Sequence, residues 1–189
     1  MSDADHTAIP SQTVGPFFHC GLATDESLGR MASEGIANRI RLRVRVLDGD
    51  GVAVPDGLIE LYQADAEGRY PAGVVSGHGA AFTGFGRLAT DEDGVCVFDT
   101  VRPGAVTGDG TNVQAPHILV CLFARGLLRH LHTRTYFAGD IGHDRDPVLR
   151  LVPADRRPTL MAHPTAGTPD GWDFVIRLQG EDETVFFDL

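Results

Sequence analysis

Three side chains capable of metal or anion chemistry occupy every second position of one segment: His130, His132 and Arg134. Alternate residues of an extended strand share a face, so both imidazoles and the guanidinium point the same way. An H-x-H pair is how cupin-like sandwiches present nitrogens to a metal. A complete site needs a third ligand and usually a fourth, for which His143 is a candidate, but no second HxH, HxxxE or CxxC accompanies the pair. Structural or interface histidines therefore stand beside the metal reading. Arg134 stays charged at any working pH and forks onto carboxylates, as an anion anchor or as half of a salt bridge. In APHIL (115–119) a strand that places His117 on one face places Leu119 there too, where a metal site would carry a second imidazole. The strand reads as a metal-binding one with a ligand removed, and its function as dependent on another chain.

A second chemical segment is Thr13-Val14-Gly15-Pro16-Phe17, stiffened by proline and open to close approach at glycine. A loop that closes over a ligand has these properties, and so does an ordinary turn. Gly84 and Gly86 are too few for a phosphate loop and no helix follows them. Ser11 and Ser76 sit in no G-x-S-x-G context, so acyl transfer has no support.

The elements that must position these groups are strands. RIRLRVRVL from Arg39 alternates strictly, with one apolar face and Arg39, Arg41, Arg43 and Arg45 on the other. That basic face is either solvated or a docking surface for an acidic partner. Further runs follow at 58–64, 83–90, 95–100, 117–124, 127–137, 148–152 and 172–179, with turn residues at DGDG, DEDG (91–94) and Arg125-Gly126. About eight strands without intervening helices predict an all-β fold, an antiparallel β-sandwich in a single domain. Residues 1–38 carry few periodic signals and read as an N-terminal arm, with one short helix candidate after Thr24. Residues 39–189 form the sandwich. The tail ends in Phe186 and Phe187, which point to opposite faces if extended and need a second covering surface, this domain's own or that of a partner on which the tail docks.

Composition narrows the function. With 189 residues, 42% of them hydrophobic, the chain fills one core. The formal net charge of −10 repels phosphate backbones, so no nucleic-acid partner is expected. No stretch is long and apolar enough to span a bilayer, and the first ten residues do not read as a secretory signal. Cys20, Cys96 and Cys121 are odd in number and scattered, which suits a reduced, cytoplasmic protein.

Seven segments in order, SQTVGPF (11–17), LIELYQADAEGRY (58–70), FGRLATDEDG (85–94), TVRPG (100–104), APHI (115–118), HLHTRTYFAGD (130–140) and GEDETVFFDL (180–189), resemble the intradiol ring-cleavage dioxygenases across nearly the whole chain. The resemblance implies a β-sandwich in which two tyrosines and two histidines hold Fe(III), and dioxygen is inserted between the hydroxyl-bearing carbons of a catechol. Laid on that pattern, this chain has no tyrosine between Tyr70 and Gly84, Val106 where a tyrosine follows RPG, and Leu119 in place of the second histidine. Only His117 remains, and a lone imidazole does not hold ferric iron against water. Tyr62, Tyr70 and Tyr136 fall at landmark positions that the family uses for structure.

The resemblance therefore implies a chain with no catalytic residue and no metal of its own, inactive alone. It implies an iron-bearing homologous β chain as partner and a higher oligomer of αβ units. Thr13, Gly15, Pro16, Phe17 and Arg134 would line the partner's pocket, with Phe17 at a position often held by tyrosine. The implied reaction is cleavage of the small aromatic substrate 3,4-dihydroxybenzoate to 3-carboxy-cis,cis-muconate, in the β-ketoadipate route of aromatic catabolism. A cupin-like metalloenzyme using His130 and His132, or a scaffolding sandwich, are the competing readings.

Overall fold

A computed structural model describes residues 10–15, 17–71, 81–108 and 112–188. Its strands are β1 (Arg39–Leu47), β2 (Leu58–Gln63), β3 (Phe85–Ala89), β4 (Val95–Val101), β5 (Val106–Thr107), β6 (Val113–Gln114), β7 (His117–Phe123), β8 (Leu131–Phe137), β9 (Met161–Pro164) and β10 (Gly171–Arg177). Eight of them run in the order β3-β2-β7-β8-β9-β10-β1-β4, while β5 and β6 pair separately. β9 turns the corner: Met161 and Ala162 pair in parallel with Tyr136 and Phe137 of β8, and His163 and Pro164 pair with β10. The fold is the expected all-β sandwich, with mixed rather than purely antiparallel pairing, because β1 and β10 are also parallel.

Alternation builds the core. Leu42, Val44 and Val46 of β1, Phe98 of β4 and Phe174 and Ile176 of β10 pack in one cluster with Ile59 and Leu61 of β2 and Ile118, Val120 and Leu122 of β7. Gln63 crosses it as a satisfied polar tie, donating to the Val101 carbonyl at 3.0 Å and accepting from the Thr100 hydroxyl at 2.8 Å. The arginines of β1 face outward, and three of them meet acids on the neighbouring strands, with Arg43 Nε 2.6 Å from Asp173 Oδ1 and Arg39 and Arg41 near Asp99. This is the solvated face. Its ion pairs are exposed and screened, so Arg43→Ala is expected to lower unfolding free energy in urea by only about 0.2–1 kcal/mol. The loss should shrink at high salt, and a salt-independent loss would mean that the aliphatic stem of Arg43, not its charge, matters.

Three local expectations change. The run VLRLV is not a strand: Asp146 Oδ1 accepts from the backbone N–H groups of Val148 (2.9 Å) and Leu149 (2.7 Å) and starts a 3-10 helix at Leu149–Leu151. DEDG does make a tight turn, with Gly94 at φ +71°, but it joins β3 and β4, which lie in different parts of the sheet order. Residues 18–22 form a short helix, α1 (Phe18–Leu22), that the sequence did not announce, while the candidate after Thr24 is the 3-10 helix Glu26–Gly29 capped by Asp25. Met31, only 1% exposed, already belongs to the core.

The two tail rings find both surfaces on this chain. Phe186 packs on the main core and Phe187 on a second cluster with Tyr136, Leu149 and Leu160. Phe187 N–H donates to the His132 carbonyl at 2.8 Å, and the Thr133 hydroxyl donates to the Val185 carbonyl at 2.7 Å. The tail thus takes the edge of β8 that β9 leaves open.

Candidate functional site

Parity along the β2, β3, β7 and β8 ladders assigns the faces. Register places Phe85, Tyr62, Leu119 and Arg134 in one row and Arg87, Glu60, Cys121 and His132 in the next, on the sheet surface away from the main core. Apart from Arg87, these rows floor a groove of about 660 Å³, walled by Leu151 and Phe187. Glu60 and Arg87 neutralise each other, with Arg87 Nε 2.7 Å from Glu60 Oε1.

Arg134 is half-buried, and its guanidinium donates to Gln114 Oε1 at 2.7 Å. Among the described residues no carboxylate pairs with it, so the salt-bridge alternative is not what the fold builds. A neutral amide aims the cation and leaves its charge uncompensated at the groove, which is the arrangement an anion anchor needs.

His117 is 1% exposed and lies opposite Tyr136 in the register. Its Nδ1 is 2.8 Å from the Ala115 carbonyl and must carry the proton, since a carbonyl only accepts. Nε2 then faces the Tyr70 hydroxyl at a loose 3.4 Å. Burial holds the imidazole below its ordinary pKa and so neutral at pH 7. Among the described residues the donors around it do not fit ferric iron: Leu119 shares its face, Val106 is buried in β5, and the Asp146 carboxylate is consumed by the backbone N–H groups of Ala115, Val148 and Leu149 and the Tyr136 hydroxyl. Tyr136 is a fully buried structural residue, as expected, whereas Tyr62 is 40% exposed in the groove.

The arm residues lie elsewhere on the chain. Thr13 Oγ1 accepts from Gly126 N–H at 2.7 Å, and Phe18 packs on Phe123 with ring centroids 5.3 Å apart, so the arm is tied to the β7–β8 turn. Phe17 is 78% exposed, and among the described residues Gly15 borders open space. Pro16 lies outside the described residues. The fold therefore does not gather Thr13, Gly15 and Phe17 around Arg134 in a single pocket of this chain.

The cupin-like set is not assembled either. His143 stacks edge-on against Tyr136, whereas the residue that joins His130 and His132 is Cys121. Its thiol is pushed up to about 12 by burial and then by Glu60, and burial followed by the charge of His130 holds His132 below its ordinary value. Sequence reasoning missed Cys121, although counting outward from Arg125-Gly126 places it opposite His130, on the same face. The observed connection is wider and shifts the partner to His132. Gln114 and Asp146 had no local signal.

A family model described as "Dioxygenase" matches residues 13–179. The protocatechuate 3,4-dioxygenase α chain of Burkholderia cepacia is 42% identical, covering 95% of this chain and 96% of its own length, and that of Pseudomonas putida is 41% identical over the same shares. The corresponding β chain of Burkholderia cepacia is 36% identical, over 80% of this chain and 68% of its own. Among solved structures, catechol 1,2-dioxygenase from Pseudomonas arvilla C-1 superposes with a TM-score of 0.62 at 21% identity, covering 82% of this chain and 56% of that one, which speaks for the fold alone. The fold is thus that of a known sandwich, and this chain belongs to the dioxygenase family that includes the α and β chains of protocatechuate 3,4-dioxygenase.

Proposed function

We propose that this chain is the α-type subunit of a protocatechuate 3,4-dioxygenase, lending Arg134 and the arm segment Thr13, Gly15, Pro16 and Phe17 to the active site of a homologous β-type partner that holds the Fe(III). The observation that carries this reading is the similarity to α chains along essentially their whole length, against a lower identity and a shorter match to a β chain. The lack of a ferric ligand set around His117 among the described residues supports it. So does the arm, which presents an exposed Phe17 outward instead of folding it over its own groove.

Iron bound to the partner would draw electron density from a catecholate and bring oxygen chemistry to it. The work of this chain is positional: Arg134 pairs with the substrate carboxylate, and the arm forms an apolar wall that excludes water. The reaction is intradiol cleavage of 3,4-dihydroxybenzoate to 3-carboxy-cis,cis-muconate, in aromatic catabolism. Its setting is the cytoplasm, to which Cys96 and Cys121, neither of them in a disulfide, are suited. No helix among the described residues is long and apolar enough to cross a membrane.

Purifying the chain alone and together with its homologous partner tests the assignment. Alone, it is expected to be colourless, iron-free and inert toward 3,4-dihydroxybenzoate. With the partner, a coloured tyrosinate–iron complex should form and consume oxygen. Stoichiometric iron and turnover in the lone chain would overturn the reading.

A further inference from the structure

Cys121 and His132 of the groove floor, with the exposed His130 beside them, bring together ligating atoms that substrate positioning does not use. Cys121 of β7 and His132 of β8 are direct cross-strand partners, and His130 lies two residues before His132, just ahead of β8. The thiol sulfur and one nitrogen from each imidazole all lie within 4.8 Å of one another. The imidazole rings meet edge to face with centroids 4.7 Å apart, and Phe123 flanks His130 at 5.2 Å. We infer that Cys121, His130 and His132 form a binding site for a borderline-soft transition metal of the zinc(II) type, with a fourth coordination position open to the groove.

Donor chemistry selects the metal class. One thiolate and two imidazoles suit zinc, cobalt(II) or copper(I) and are a poor match for magnesium or calcium. Bonds of about 2.3 Å to sulfur and 2.0–2.1 Å to nitrogen put the donors of a tetrahedral site about 3.4–3.6 Å apart. The present spacing closes to that by side-chain rotation. Among the described residues neither imidazole makes a hydrogen bond that rotation would break, and His130 is exposed. The β7–β8 ladder fixes the backbone under Cys121 and His132, so two ligands are already oriented before metal arrives.

The fourth position is the informative one. Glu60 pairs with Cys121 across β2 and β7 but is engaged by Arg87, which leaves water or a small anion from the groove as the remaining ligand. Three protein ligands with one exchangeable position is the pattern of an open site rather than a closed structural one. A bound zinc would place positive charge on the strand face that carries Arg134.

Titrating the chelator-treated full chain with Co(II), and then displacing it with Zn(II), tests the site with optical readouts that need no enzymatic turnover. The expected result is one Co(II) per chain, a near-ultraviolet thiolate-to-cobalt charge-transfer band and the visible bands of tetrahedral cobalt, all abolished by zinc. Cys121→Ser should remove the charge-transfer band, whereas Cys20→Ser should retain it. His130→Ala, at an exposed position that leaves folding intact, should weaken binding at least about tenfold, since even supporting residues around metal ligands contribute that much. Absence of the band in the unaltered chain, its persistence in Cys121→Ser, or unchanged affinity in His130→Ala would each overturn the inference.

Discussion

Asp146→Ala is expected to lower the unfolding free energy of this chain by about 3–5 kcal/mol, the range for dismantling a buried polar hub. Asp146 is fully buried. Its Oδ2 accepts from Ala115 N–H at 2.7 Å, and its Oδ1 accepts from Val148 N–H at 2.9 Å, Leu149 N–H at 2.7 Å and the Tyr136 hydroxyl at 3.2 Å. One carboxylate thus joins the lead-in to β7, the end of β8 and the 3-10 helix at Leu149–Leu151. Alanine leaves three backbone donors and a hydroxyl without an acceptor where water does not reach, and each such group costs about 1–3 kcal/mol. Relaxation of the helix recovers part of the loss, which is why the total falls short of the full sum. Tyr136→Phe, removing one donor and keeping the ring, should cost about 1 kcal/mol. A urea midpoint for Asp146→Ala that implies less than about 1 kcal/mol would mean water fills the site and the hub is not structural.

The same residue shows where the sequence was legible and where it was not. β1 could be read because one of its faces is in water, so Ile40, Leu42, Val44 and Val46 alternate visibly with arginines. VLRLV is richer still in apolar residues and misleads. As a strand it would bury Leu149 and Leu151 together, yet Leu149 is 0% exposed and Leu151 is 82% exposed. Local hydrogen bonds that Asp146 accepts from the following backbone N–H groups decide the outcome over apolar content. β9 was invisible for a different cause: MAHP is four residues long, ends in proline and gains its strand identity only from pairing with β8 and β10. The face shared by His132 and Arg134 followed from period two alone. Its partners did not, because Gln114 reaches Arg134 from a two-residue strand and Cys121 depends on the exact width of the β7–β8 connection. Periodicity fixes which face a residue takes; which neighbours it meets there is set by register, and register is a tertiary property.

Arg134→Ala in the assembled two-chain enzyme is expected to raise KM for 3,4-dihydroxybenzoate by about 5–150-fold, with a much smaller change in kcat. That range corresponds to about 1–3 kcal/mol for a charged hydrogen bond that serves binding in the ground state and the transition state alike. The motivating observation is a guanidinium held by Gln114 Oε1 at 2.7 Å with no described carboxylate to neutralise it. Catechol, which lacks the carboxylate, should be nearly unaffected, so the ratio of the two substrates isolates the charge pairing from any damage to assembly. Arg134→Lys keeps the charge and loses the planar fork, and should recover part of the capture. Gln114→Ala frees the guanidinium to wander and should shift KM in the same direction by a smaller factor, because orientation is lost while the charge remains. Equal losses for both substrates in Arg134→Ala would instead make Arg134 a subunit-contact residue, since only a misassembled pocket treats a carboxylated and a plain catechol alike.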